Sequence, residues 1–199
     1  MNQESRAELA EEAARRALAG LDPGPVLERL RRLTVRELLQ ADAEPVQAAD
    51  LAGELDAVCT ALRGAVRRRP GWLYAALPGQ ECLPVRVRGE LLRAALLDAV
   101  RRSLPGGGPV VVECRPLHGA ALLCVRGPTG RGGAVPPLWR RMARQAGGTA
   151  VAGSGAFSAA ALLPLAVDLP LKKSPGSAAL LEDRYGLLYL FLNGVCAAP

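Results

Sequence analysis

The sequence predicts an α+β fold: a two-layer α/β sandwich, with helices on one face of a mixed, mostly antiparallel sheet, preceded by a helical hairpin. Three observations predict it. Segments with helical spacing alternate with short apolar runs bounded by glycine and proline. Half of the 199 residues are hydrophobic, enough to bury a full core. Residues 4–40 carry helical signals alone, interrupted once by "GLDPGP".

The elements follow in order. "ESRAELAEEAARRALA" places acids early and arginines late, which suits the helix dipole. After the Pro/Gly break, "PVLERLRRLTVRELLQAD" resumes with Val26, Leu27, Leu30, Leu33, Leu38 and Leu39 at helical spacing. Together they read as an antiparallel hairpin over residues 1–42. Two helices alone bury such stripes poorly, so the hairpin is expected to pair with a second copy in a four-helix bundle, with packing against its own chain as the alternative. An extended Glu-Pro-Val linker then leads into a third helix stopped by Pro70-Gly71. Strands are expected at "WLYAALP" and "LPVRVR", and a fourth helix at "GELLRAALLDAVRRSLPGGG". "PVVVECR" and "AALLCVR" make a hairpin about the turn "PLHG". "PPLWRRMARQAGG" reads as a helix, and "TAVAGS" with "AFSAAALLPLA" as a last hairpin. The tail, residues 169–199, ends in "YGLLYLFLNGV", which is expected to join the core, cover a cleft or cover a sheet edge.

The formal charge of +6 comes almost wholly from arginine, since Lys172 and Lys173 are the only lysines. With few aromatics interleaved, the arginines read as solvated helix faces rather than a nucleic-acid footprint. The five cysteines form no C-x-x-C pair, so neither a zinc site nor a disulfide framework is expected, and they read as small buried apolar residues. No run reaches the roughly 20 apolar residues that span a bilayer, and the charged N-terminus lacks a signal peptide's apolar core. A soluble, cytoplasmic protein is expected.

Residues 43–168 resemble the catalytic ATP-binding domain of sensor histidine kinases, within the GHKL ATPase group. "EPVQAADLAGELDAVCTAL" resembles the family's entry, and "LPVRVRGELLRAALLDAVRRSLPGGGPVVVE" its strand, N-box helix, turn and next strand. "ALLCVRGPTGRGG" stands where the family writes a strand ending in D-x-G-x-G. "LWRRMARQAGGTAVAGSGAFSAAALLPLA" is similar to its closing helix and hairpin. By the same resemblance, the N-terminal hairpin stands where the family keeps its dimerising, phospho-accepting helices.

The resemblance implies jobs that this chain's residues do not fill. A carboxylate should accept a hydrogen bond from the adenine amine, yet no Asp or Glu lies between Glu113 and Asp168. Gly127 or Pro128 stands at its place, and the lost partner would cost roughly 1–3 kcal/mol. The metal-holding Asn of the N-box corresponds to Asp98 or to Arg102, because the helix is about one turn short; Asp98 would offer magnesium an oxygen and Arg102 would not. The alternative reading of Asp98 is a helix-surface residue paired with Arg101 or Arg102. The phosphate lid has shrunk, leaving Gly130, Gly132 and Gly133 with Asp98 as the remnant of a nucleotide site. Arg131, Arg140 and Arg141 could attract an anion there, but Pro136 and Pro137 remove amide donors. The only histidine, His118, lies in the "PLHG" turn and not in the hairpin.

Three functions follow as expectations. The first is a degenerate kinase-like protein without ATP hydrolysis or autophosphorylation, dimeric through residues 4–40 and acting on partners in two-component-type signalling. No cofactor is then expected. Arg29, Arg32 and Arg36 would meet an acidic response-regulator domain, since the family docks regulators on that element. The second is a kinase that retains ATP and magnesium. The third is an arginine-driven nucleic-acid binder.

Overall fold

Helix α1, Arg6–Leu18, starts at a reciprocal cap: the Ser5 hydroxyl accepts from the Glu8 amide at 3.3 Å and the Glu8 carboxylate accepts from the Ser5 amide at 2.8 Å. The computed structural model describes residues 5–66, 71–79, 81–104, 108–128, 133–153 and 158–195. At the end of α1 the chain turns at Gly20, whose φ of 68° lies in the left-handed region. Helix α2, Gly24–Gln40, then buries Val26, Leu30, Thr34 and Leu38, four residues apart on one face.

The main sheet has five strands in the order β2-β4-β5-β7-β6. They are β2 (Leu73–Ala76), β4 (Val110–Leu117), β5 (Ala120–Arg126), β6 (Thr149–Ala152) and β7 (Ser158–Pro164). β2 runs parallel to β4, and every other pair is antiparallel. This meets the expectation of a mixed, mostly antiparallel sheet. Alternation sets its inner face: Val110, Val112 and Cys114, Ala121, Leu123 and Val125, and Ala159, Ala161 and Leu163 are all buried. On that face lie α3 (Leu51–Ala65), α4 (Gly89–Ser103) and α5 (Pro137–Gln145).

Helices α3 and α4 are buried on most of their faces, Glu54 and Asp98 included, and a helix of that kind needs cover on both sides. The sheet covers one side. The tail covers the other, with α6 (Ser177–Glu182) against α3, and α7 (Leu187–Phe191) against α3, α4 and α2. Leu188, Leu190 and Phe191 are buried there. The tail's apolar end thus packs onto the helical layer, adding a partial third layer with the hairpin.

The hairpin's stripe is covered by the same chain. α2 rests on α5 and α7, and Leu9, Ala13, Val26, Leu30 and Leu38 belong to one continuous core with the sheet. The physical reason for expecting a second copy against this stripe, its poor burial in the hairpin alone, is therefore met within the chain.

Three details differ from the sequence reading. The segment after the Glu-Pro-Val linker contains a strand, β1 (Ala48–Asp50), which pairs antiparallel with β3 (Pro84–Val85) and parallel with β8 (Leu171–Lys172) in a small second sheet. The run "LPVRVR" is a strand only at β3, because Val87 already turns toward α4 with its amide on the Val85 carbonyl. Cys82 is exposed in the loop before β3, unlike buried Cys59 and Cys114, whose thiols burial pushes up to about 12. Cys124 is half-buried on the sheet's outer face, and Cys196 lies outside the described residues.

Candidate functional site

Two chain segments define the place where the resemblance puts a nucleotide: the C-terminal half of α4, and the loop between β5 and α5. Their meeting point is unusually close. A Cβ built on Gly127 would stand 2.5 Å from Ser103 Cβ, 2.9 Å from its Oγ and 2.9 Å from its Cα. Ser103 is fully buried and its hydroxyl donates to the Ala99 carbonyl at 2.9 Å. A second contact seals the other side, where a Cβ on Gly108 would stand 2.8 Å from two ring carbons of Pro128. The loop thus lies directly on α4, with no room at this point for a carboxylate that could reach an adenine amine.

Asp98 projects from the same helix. Its side chain is 5% exposed, and its Oδ2 accepts from Arg102 Nε at 2.7 Å. The two N-box candidates therefore bind each other. The expected helix-surface position for Asp98 is corrected to a buried one, because α5 and α7 pack against α4.

From α2, Arg31 faces this pair. Its guanidinium pKa is raised first by its hydrogen bonds to Glu28, and further by the charges of Glu28 and Asp98. Arg31 contacts Glu28 at 2.5 and 2.9 Å, and its guanidinium carbon lies 6.0 Å from the Phe191 ring centroid. Hydrogen bonding to Arg31 holds the Glu28 carboxyl down to about 2. Around Asp98 the charges are thus satisfied by arginines from α4 and α2, and the apolar tail closes over them. A carboxylate already held by a guanidinium is a poor magnesium ligand, since the metal would first have to break that charge-assisted bond.

The loop's other predicted residues are scattered. Gly130, Gly132 and Arg131 lie outside the described residues. Gly133 is exposed with a φ of 138°. Pro136 and Pro137 begin α5 without a side-chain cap. Arg141 turns away from any anion site: its NH2 donates to the Ala41 carbonyl at 2.5 Å and to Asp42 at 3.0 Å. One turn on, Gln145 donates to the Ala43 carbonyl and accepts from the Arg88 amide. α5 therefore clamps the linker rather than a phosphate.

His118 is exposed in the β4–β5 turn, away from the hairpin. Arg29, Arg32 and Arg36 all stand exposed along α2, at spacings of three and four that share one face. Arg29 approaches Glu12 at 3.7 Å, and Arg32 pairs with Glu28 at 3.2 Å. The stripe is positive but partly neutralised by its own hairpin.

Sequence reasoning missed Ser103, Arg31 and Phe191. No local signal marks them, because their role comes from helices and loops brought together by topology.

Among the described residues no helix is long and apolar enough to cross a membrane, and no group of His, Cys, Asp and Glu could hold a metal ion. No protein-family model and no curated protein matches the sequence. Solved structures match in fold. The histidine kinase AdeS of Acinetobacter baumannii is 12% identical, with a TM-score of 0.51 over 81% of this chain and 95% of that one. Full-length ShkA in complex with AMPPNP is 16% identical, with a TM-score of 0.53 over 83% of this chain and 40% of that one. At these identities the likeness is one of fold.

Proposed function

We propose that this chain, which has the fold of the histidine kinase catalytic domain, is a degenerate member of that group: a cytoplasmic signalling protein that works by binding protein partners, without ATP hydrolysis or autophosphorylation. The observation that carries this reading is the contact of Gly127 with Ser103, which fills the place of the adenine-binding carboxylate. The pairing of Asp98 with Arg102 supports it, as does the absence of any histidine from residues 1–42.

On this reading, residues 1–42 are the counterpart of the kinase dimerisation helices, residues 43–168 the ATPase-like domain and residues 169–199 a sealing tail. A response regulator would meet Arg29, Arg32 and Arg36, where an acidic receiver surface gains from the exposed guanidinium stripe. A homodimer through the hairpin would use its solvent face, because the apolar stripe is covered.

The competing reading, a chain that still binds ATP and magnesium, draws on the AMPPNP held by ShkA. Isothermal titration with ATP and magnesium separates the two. No heat of binding up to millimolar nucleotide is expected, and micromolar affinity would reject the proposal.

A further inference from the structure

A cleft lies away from Asp98 and the Gly127 loop, at the opposite, amino-terminal end of α4. It measures about 530 Å³ and is walled by the linker at residues 44–47, Arg6 of α1, Lys172 of β8 and the α6–α7 tail. A volume of this size accepts a small metabolite.

Its charges are unevenly satisfied. Arg93 is taken up by Glu54, with contacts of 2.8 and 2.9 Å from one terminal nitrogen to the two carboxylate oxygens. Arg6 is taken up by Glu90 at 3.1 Å. Arg88 and Lys172 form no ion pair among the described residues. For Arg88 the consequence is sharper, because its Nε and one terminal nitrogen are shut off from solvent and reach no acceptor. A guanidinium keeps its charge at any physiological pH, so it cannot relieve this state by losing a proton. Unmet buried donors of this kind call for a water or an ion. The carboxylates Glu44 and Asp183 stand at the exposed rim, as Lys172 does, and half-buried Glu90 on the wall is taken up by Arg6, which leaves Arg88 and Lys172 as the cations of the lining without an ion pair among the described residues.

We infer that this cleft is a binding site for a small molecule with an anionic head, carboxylate or phosphate, which Arg88 and Lys172 hold. The ligand would touch the linker, α1, α4 and the tail together, tying the hairpin to the rest of the chain. This site is separate from the nucleotide remnant, and its fate does not depend on whether ATP binds.

The test is thermal melting of the full chain, with inorganic phosphate and with succinate, at ionic strength held constant by sodium chloride. A saturable rise of several degrees with one of the two anions is expected, and which anion gives it assigns the head group. Lys172→Gln, on an exposed strand, should weaken the response at least tenfold in ligand concentration. Arg88→Met keeps the packed stem and removes the unmet donors, so it should melt at or above the parent temperature and show no rise. Arg115→Gln, on the outer face of the sheet, should respond as the parent does. A rise that follows ionic strength alone, no rise with either anion, or an undiminished rise in Lys172→Gln would overturn the inference.

Discussion

Gly127→Ala tests the contact on which the functional reading rests. The new methyl would stand 2.5 Å from Ser103 Cβ, against a comfortable carbon separation of about 3.5–4.0 Å. Loop and helix must therefore part by about 1 Å. The backbone does not cause the strain, because Gly127 is not among the glycines with positive φ. Overpacking of this size costs about 1–3 kcal/mol. The reduced freedom of the unfolded chain returns about 0.4–1 kcal/mol, so the net loss is about 1–2 kcal/mol. For a chain of this length that is roughly a 2–8 °C fall in melting temperature.

Urea denaturation followed by circular dichroism reads the loss directly, and Ser103→Gly supplies the internal check. Removing the serine side chain eliminates the contacts at Cβ and Oγ but leaves Cα at 2.9 Å, so the double variant should recover part of the loss and not all of it. Additive effects of the two substitutions, or a neutral Gly127→Ala, would mean that the loop does not rest on α4. The case for a closed adenine site would fall with it.

Other consequences can be measured alongside. Glu54 is 4% exposed and burial raises its pKa even beside Arg93, so Arg93→Met, which strands that carboxylate, should cost about 3–5 kcal/mol at pH 7 in chemical denaturation. The loss should shrink as pH falls from 7 toward 4.5, because the stranded carboxylate takes up its proton above the unfolded value, and equal losses at pH 7 and pH 4 would contradict the pairing. Glu28 behaves in the opposite sense: its folded pKa is about 2 against 4.5 unfolded, so its contribution is complete above pH 4.5 and fades as pH falls toward 2. Solvent screening keeps that contribution under about 1 kcal/mol, and the stability gap between the parent and Glu28→Gln should close over this window. Reversing Arg29, Arg32 and Arg36 to Glu should leave the fold intact and weaken binding to an acidic receiver domain at least tenfold at low salt; unchanged affinity in a pull-down titration would remove α2 as the docking face.

The long helices and the central hairpins were legible because their patterns are local. In α4, buried Leu91, Leu92, Ala95 and Val100 mark helical spacing between glycines, and in β4 and β5 a strict alternation separates inward from outward residues. β1 was not legible, since three residues carry no period and its partners lie at Val85 and Lys172. The tail was ambiguous for a different reason: a short apolar run such as "LLYLF" suits a buried strand and a buried helix equally. At the site, the missing carboxylate could be read from composition alone. What occupies its place could not, because Gly127 meets Ser103 only once the sheet has set the loop on α4.

The junction of α2 with α7 has a consequence for how the chain acquires its shape. Asn193 donates to the carbonyl of Gly24, a bond across 169 residues, and Phe191 lies under Arg31. The hairpin finds its full seat only when α7 has arrived. Closure over such a span slows folding, and until then part of the apolar stripe of Val26, Leu30 and Leu38 stays open to other proteins. A chain interrupted before α7 would hold α2 against α5 alone, presenting to its surroundings part of the surface that the finished protein hides.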